Sequence, residues 1–240
     1  MNETTNIRKL SLWIFFLPLI AINLCLFISV NHHLLENTIF LVDQIGRSGF
    51  TIPYLDGSIS ISRASRTFPQ YLIFKPSMII TGILLFYYWN YNNNLICKLR
   101  GTENKKYKFR MFGILSAIFL IIHSIFLGVK FDNDFYKLFR RVIMLTFIIF
   151  EITAQAYLVA AFYSFRHKLD KYINKTFLNI KIILVSTLII VAVISVPIIS
   201  LPGNDFFGFN LKFLKHALEW DYFIGVISFY LLTFFLWKKN

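Results

Sequence analysis

Glu151 and Gln155 stand four residues apart inside the apolar run Val142 to Phe162. On a helix they share one face, which sets a carboxylate beside an amide at a depth where hydrocarbon rejects both. A carboxylate so placed can hold or pass a proton, and the residue best placed to exchange one with it is His123, inside the preceding apolar run Met111 to Val129. Counted from the same side, His123 lies about 9 Å deep and Glu151 about 13 Å deep at ~1.5 Å per residue. Antiparallel neighbours joined by a short loop would bring the two within reach. They would then serve either as an acid/base pair or as a hydrogen bond joining two helices.

A second group lies outside the apolar runs. Asp56, Ser58, Arg63 and Arg66 fall in one hydrophilic interval, Lys75 sits one turn into the second run, and His216, Glu219 and Asp221 cluster at the start of the last. Arg63 and Arg66, three apart, can grip a phosphate, because the planar guanidinium pairs with it in bidentate fashion. Asp56 and Glu219 would orient them or touch a polar headgroup. The alternative is that both arginines pair with acidic neighbours and simply brace the loop. Gly57-Ser58-Ile59-Ser60-Ile61-Ser62 alternates strictly, which predicts an extended segment with three hydroxyls on one face. Pro76 beside Lys75 predicts a helix start there, and Lys75 can snorkel outward. Other chemistries lack their motifs. No G-x-S-x-G surrounds the three serines, no glycine-rich phosphate loop or dinucleotide fingerprint occurs, and His32-His33 are adjacent instead of spaced to hold a metal. No cofactor, metal site or catalytic nucleophile is therefore expected.

The elements that must position these residues are six runs long enough to cross a ~30 Å hydrocarbon layer as helices: about 10–30, 71–89, 111–129, 142–162, 182–201 and 217–237. A chain 57% hydrophobic and 15% charged agrees. Continuous apolar runs exclude barrel strands. The expected fold is all-α, a single integral membrane domain over residues 1–240 built as a six-transmembrane-helix bundle with a long first outer loop. The first run is too long for a cleaved signal and reads as a retained anchor. With the N-terminus inside, cytoplasmic segments hold 15 of the 25 Lys and Arg residues, counting Arg166 to Lys181 as one of them, and outer segments hold 9. That bias predicts both termini in the cytoplasm. The net charge of +13 then reflects topology and an anionic leaflet, not nucleic acid. Cys25 and Cys97 fall at opposite sides of the membrane and predict no disulfide. Leu34, Leu35, Leu41, Val42 and Ile45 suggest a short surface helix in the first outer loop.

Two stretches resemble a known family. Ile52-Pro53-Tyr54-Leu55-Asp56-Gly57, after a first span and its loop, is similar to the outer-loop signature of the Frag/DRAM/Sfk family, which holds autophagy modulators and GPI-anchor lipid-remodelling proteins. Leu218-Glu219-Trp220 followed by Tyr230-Leu231-Leu232-Thr233-Phe234 is similar to its closing pattern. The resemblance implies six spans with both termini inside and a lipid-related role. Two readings stand. One is a non-catalytic protein that binds a membrane lipid, anionic where arginines hold it, and organises lipid or membrane-protein partners. The other is an acyl-handling membrane enzyme using His123 with Glu151 or Asp56. The absence of a recognisable nucleophile favours the first.

Overall fold

A computed structural model describes residues 2–35, 38, 51–102, 106–129, 134–200, 205–206 and 209–238. Six of its helices are long and apolar enough to cross a membrane: α1 (Asn2–Val30), α4 (Gln70–Arg100), α5 (Lys108–Phe126), α6 (Asp134–Ser164), α8 (Lys175–Ser200) and α9 (Leu211–Leu236). The chain is an all-α, six-span integral membrane protein. In hydrocarbon every backbone N–H and C=O must find its partner within the segment, and uninterrupted helices do this. Side chains such as Trp13, Ile20, Ile183, Ile190 and Val193 stay exposed because lipid, not water, surrounds them.

Short helices fill the loops: α2 (Pro53–Asp56), α3 (Ile61–Ser65) and α7 (Arg166–Leu169). A single 3-10 turn, His32–Leu35, follows α1, so Leu34 and Leu35 do enter a helical turn, whereas Leu41, Val42 and Ile45 lie outside the described residues. The pair β1 (Asp205–Phe206) and β2 (Phe209–Asn210) is antiparallel and two residues long on each side.

The helices overrun the apolar runs. α4 continues eleven residues past Trp89, since nothing obliges a helix to stop where hydrocarbon does, and it ends at Gly101 in a left-handed cap. Pro76 lies inside α4 and does not start it. Lys181, counted above with a loop, is fully buried inside α8.

α1 packs on α4 and α9, α4 on α5, α5 on α6, and α8 on both α6 and α9. The close approach of α4 to α5 needs Gly113, where a Cβ would fall 2.3 Å from the Trp89 ring. Ties on each face fix the topology. On the face with both termini, Lys98 pairs with Glu3 at 2.8 Å, Lys168 Nζ donates to the Leu99 carbonyl at 3.3 Å, and the Asn174 N–H donates to the Leu236 carbonyl at 2.8 Å. Cys97 and Cys25 are both buried and are not joined in a disulfide. The opposite face carries α2 and α3, folded back on the bundle.

Candidate functional site

The returning segment is held by one face of α9. Gly57 ends α2 with φ +57°, and its carbonyl bonds His216 Nδ1 at 2.9 Å. The Trp220 indole N–H donates to the Ile59 carbonyl at 2.8 Å, and Tyr54 meets the Trp220 ring edge-on at 4.8 Å. Glu219 accepts the Ser62 N–H at 3.3 Å. Residues 216, 219 and 220 share a helical face, so the segment lies along α9 as a strip.

The alternating Ser and Ile residues do not form an extended segment. Ile59 and Ile61 are buried, as a strand would bury them. Ser60, however, is the N-cap of α3, its hydroxyl accepting from the Arg63 N–H at 3.2 Å. A Ser followed three residues later by a free N–H is a helix start, and capping one orphan donor outweighs strand propensity in a segment with no partner strand.

Asp56 is exposed and turned onto its own loop. Its carboxylate accepts from the Thr51 hydroxyl at 2.8 Å, the Ile52 N–H at 3.2 Å and the Ser58 N–H at 2.8 Å, while the Ser58 and Thr51 hydroxyls bond each other. Slight burial pushes its pKa up. The bonds from Ser58, Thr51 and Ile52 outweigh this and hold it below the ordinary value. A carboxyl whose pKa is lowered on folding stabilises the fold above its unfolded pKa, about 3.9, and that contribution is lost as pH falls through the folded value. The thermal midpoint of Asp56→Asn should therefore fall below that of wild type at pH 7, and the gap should close below about pH 4. A gap unchanged down to pH 2 would remove Asp56 from this bracing role.

Arg63, Arg66 and Arg140 form the charged part of the site. Arg140 near the start of α6 reaches Ser62 Oγ at 3.1 Å. Arg63 lies within α3, Arg66 caps its end and Arg140 reaches Ser62 in it, so the three guanidiniums gather at one short helix. Partial burial, then the charges of Arg140 and Arg63, pull the Arg66 pKa down from its ordinary value. Among the described residues no carboxylate stands within ion-pair distance of them. The Nε atoms of Arg63 and Arg140 are buried without a hydrogen-bond partner among the described residues. Lys75 stays out of this cluster, because its Nζ donates to the Ile125 carbonyl at 3.2 Å, at the end of α5.

Beneath the arginines lies a cavity of about 80 Å³ walled by α1, α3, α4, α5, α6 and α9. Arg140, Met144, Ile148 and Glu151 recur at helical spacing down α6, and Glu219, Phe223, Val226 and Tyr230 do so down α9. The last three of the first set and all of the second line the cavity, as does His123.

Glu151 and His123 both face the interior, at 1% and 8% exposure, but they are not bonded to each other. Glu151 accepts from Ser116 Oγ at 2.6 Å, from Gln155 Nε2 at 3.1 Å and from the Tyr230 hydroxyl. Ser116 lies two turns from His123 on α5, towards the face with the termini. The reason is that α5 stops at Phe126 and α6 starts at Asp134, which moves His123 towards the opposite face and Glu151 away from it. His123 Nδ1 is left without a partner among the described residues.

A separate polar string was not foreseen. Lys181 Nζ donates to Thr233 Oγ1 at 2.6 Å and lies 3.6 Å from the Phe229 ring centre, and Thr233 Oγ1 bonds the Tyr88 hydroxyl at 3.1 Å. A buried amine is satisfied here by a hydroxyl and a ring face. Among the described residues no cluster of His, Cys, Asp and Glu could hold a metal.

Compared with known proteins, the chain matches no family model, no curated protein and no solved structure. The site must be read from its own geometry.

Proposed function

We propose that the protein holds the phosphate of an anionic lipid on Arg63, Arg66 and Arg140, at the membrane face opposite its termini, and acts as a non-catalytic organiser of that lipid. The observation that carries this reading is the set of three neighbouring guanidiniums with no carboxylate at ion-pair distance among the described residues, two of them with a buried Nε that has no partner there. Like charges gathered without a counterion repel, and a phosphate would both neutralise them and accept the free N–H groups. Their position suits a headgroup. Ser62, which Arg140 touches, is at once part of the surface segment and part of the cavity wall. The cation bias of the sequence makes this the outer leaflet, and the Frag/DRAM/Sfk resemblance agrees with a lipid-related role. Catalysis by His123 with Glu151 gains no support, since the carboxylate's bonds go elsewhere.

Native mass spectrometry of the purified protein tests the proposal. Wild type should carry phospholipid adducts. The Arg63→Ala/Arg66→Ala/Arg140→Ala variant should lose them, with affinity reduced at least ~1000-fold at ~1.5–3 kcal/mol per charged hydrogen bond. Full lipid retention by the folded triple variant would overturn it.

A further inference from the structure

The cavity under the arginines has a gradient of chemistry from mouth to floor. The arginines adjoin its upper end without lining it: Arg140, one turn above the lining residue Met144, reaches Ser62 at 3.1 Å, and Ser62 with Glu219 forms that end of the wall. Next comes His123, which lines the cavity with a buried Nδ1 that has no partner among the described residues. Below it the walls are hydrocarbon: Ile14, Met78, Leu120, Phe147 and Val226. The floor is Glu151, whose two oxygens are already occupied by three donors and offer nothing to a guest.

Size narrows the guest. An apolar cavity of about 150 Å³ takes one benzene ring, so 80 Å³ holds roughly three methylene-sized groups. Apolar walls of that kind stay dry and take hydrocarbon. A chain segment of about three methylenes fits, and two chains side by side do not. From Arg140 to Glu151 the helix descends about 16 Å, half the thickness of the hydrocarbon layer, so the guest enters from one leaflet only.

We infer that the cavity seats the first methylenes of one chain of an ester-linked anionic glycerophospholipid, with the His123 imidazole hydrogen-bonded to that chain's ester carbonyl. The inference rests on the phosphate reading of the arginines. Phosphate, ester and hydrocarbon follow one another in such a lipid in the same order as guanidinium, imidazole and apolar wall follow one another here. The second chain and the remainder of the first stay outside the bundle. His123 is thus a specificity-determining residue that distinguishes an ester from an ether linkage, because an ether lacks the carbonyl oxygen that would accept its N–H.

Three probes test this on the full-length protein in maltoside detergent: dihexanoyl-glycerophosphate, its dihexyl ether analogue, and glycerol phosphate with no chains. Wild type should bind the ester about five-fold more tightly than the ether, the equivalent of one ordinary hydrogen bond. It should bind both more tightly than glycerol phosphate. His123→Leu should bring the ester down to the affinity of the ether. Ile148→Trp, which fills the cavity from α6, should reduce the affinity of both chain-bearing probes ten-fold or more. Equal affinity for ester and ether in wild type overturns the inference and needs no variant to fold. An ester preference that survives His123→Leu also overturns it. In either case, binding that depends on the three arginines leaves the phosphate reading standing. Failure of wild type to bind any of the three probes removes the phosphate reading, and the inference with it.

Discussion

Glu151→Ala should lower the stability of the purified protein by about 2 kcal/mol, at ~0.6 kcal/mol for each of three hydrogen bonds in a membrane protein. Three donors on three helices converge on this carboxylate: Ser116 on α5, Gln155 on α6 itself and Tyr230 on α9. Removing it strands the Tyr230 hydroxyl in a place without water, while Ser116 keeps the Gly113 carbonyl and Gln155 the Val226 carbonyl. A buried donor left unmade costs more than the bond contributed. Glu151→Gln keeps a side-chain oxygen in place and should recover about half of the loss. Thermal unfolding in detergent, followed by tryptophan emission, is the measurement, and a shift of roughly 4–8 °C is expected for Glu151→Ala. A midpoint for Glu151→Ala within about 1 °C of wild type would show that the convergence contributes nothing.

Gly57→Ala should release the surface segment from α9. The left-handed backbone at φ +57° costs an alanine about 1–2 kcal/mol, and its Cβ would lie 1.8 Å from the Phe213 carbonyl oxygen. Because the obstacle is backbone inside a spanning helix, it cannot swing aside, and the segment must move instead. With it would go the His216 and Trp220 bonds to Gly57 and Ile59. A cysteine in place of Ile59, which is 4% exposed, reports the change. It should resist a membrane-impermeant maleimide when Gly57 is intact and react at least ten-fold faster once Gly57→Ala is added. Protection that survives the substitution would mean that the segment is held by something other than this contact.

The six spans were legible because a bilayer imposes one rule on every residue of a run, and a run of about twenty apolar residues satisfies it wherever its neighbours lie. Glu151 was legible for the same reason, as an exception to that rule. Its partners were not. Ser116 and Tyr230 are ordinary residues of helical sequence, and only packing of α5 and α9 against α6 gives them a common target. Arg140 was hidden by where the run was cut. Placing the span's start at Val142 made it a loop cation, whereas α6 begins at Asp134 and carries Arg140 on the same stripe as Glu151. Lys181 was misplaced by the same kind of cut at Ile182. The Ser and Ile alternation misled for another reason, since alternating burial arises equally from a capped turn laid against α9.

The order in which a ribosome makes this chain adds one consequence. Glu151 leaves the ribosome 79 residues before Tyr230, and Lys181 leaves 52 residues before Thr233. At about 5–20 residues per second these side chains wait for roughly 3 to 16 s. Meanwhile α1 lacks α9, and the surface segment lacks His216 and Trp220, because every one of those contacts is supplied by the last helix to be made. A nascent chain cut short before residue 211 is therefore a set of five spans with a carboxylate short of its Tyr230 donor and an unmatched amine inside the lipid. It is a natural substrate for membrane quality control, and the arrival of α9 is the event that ends its vulnerability.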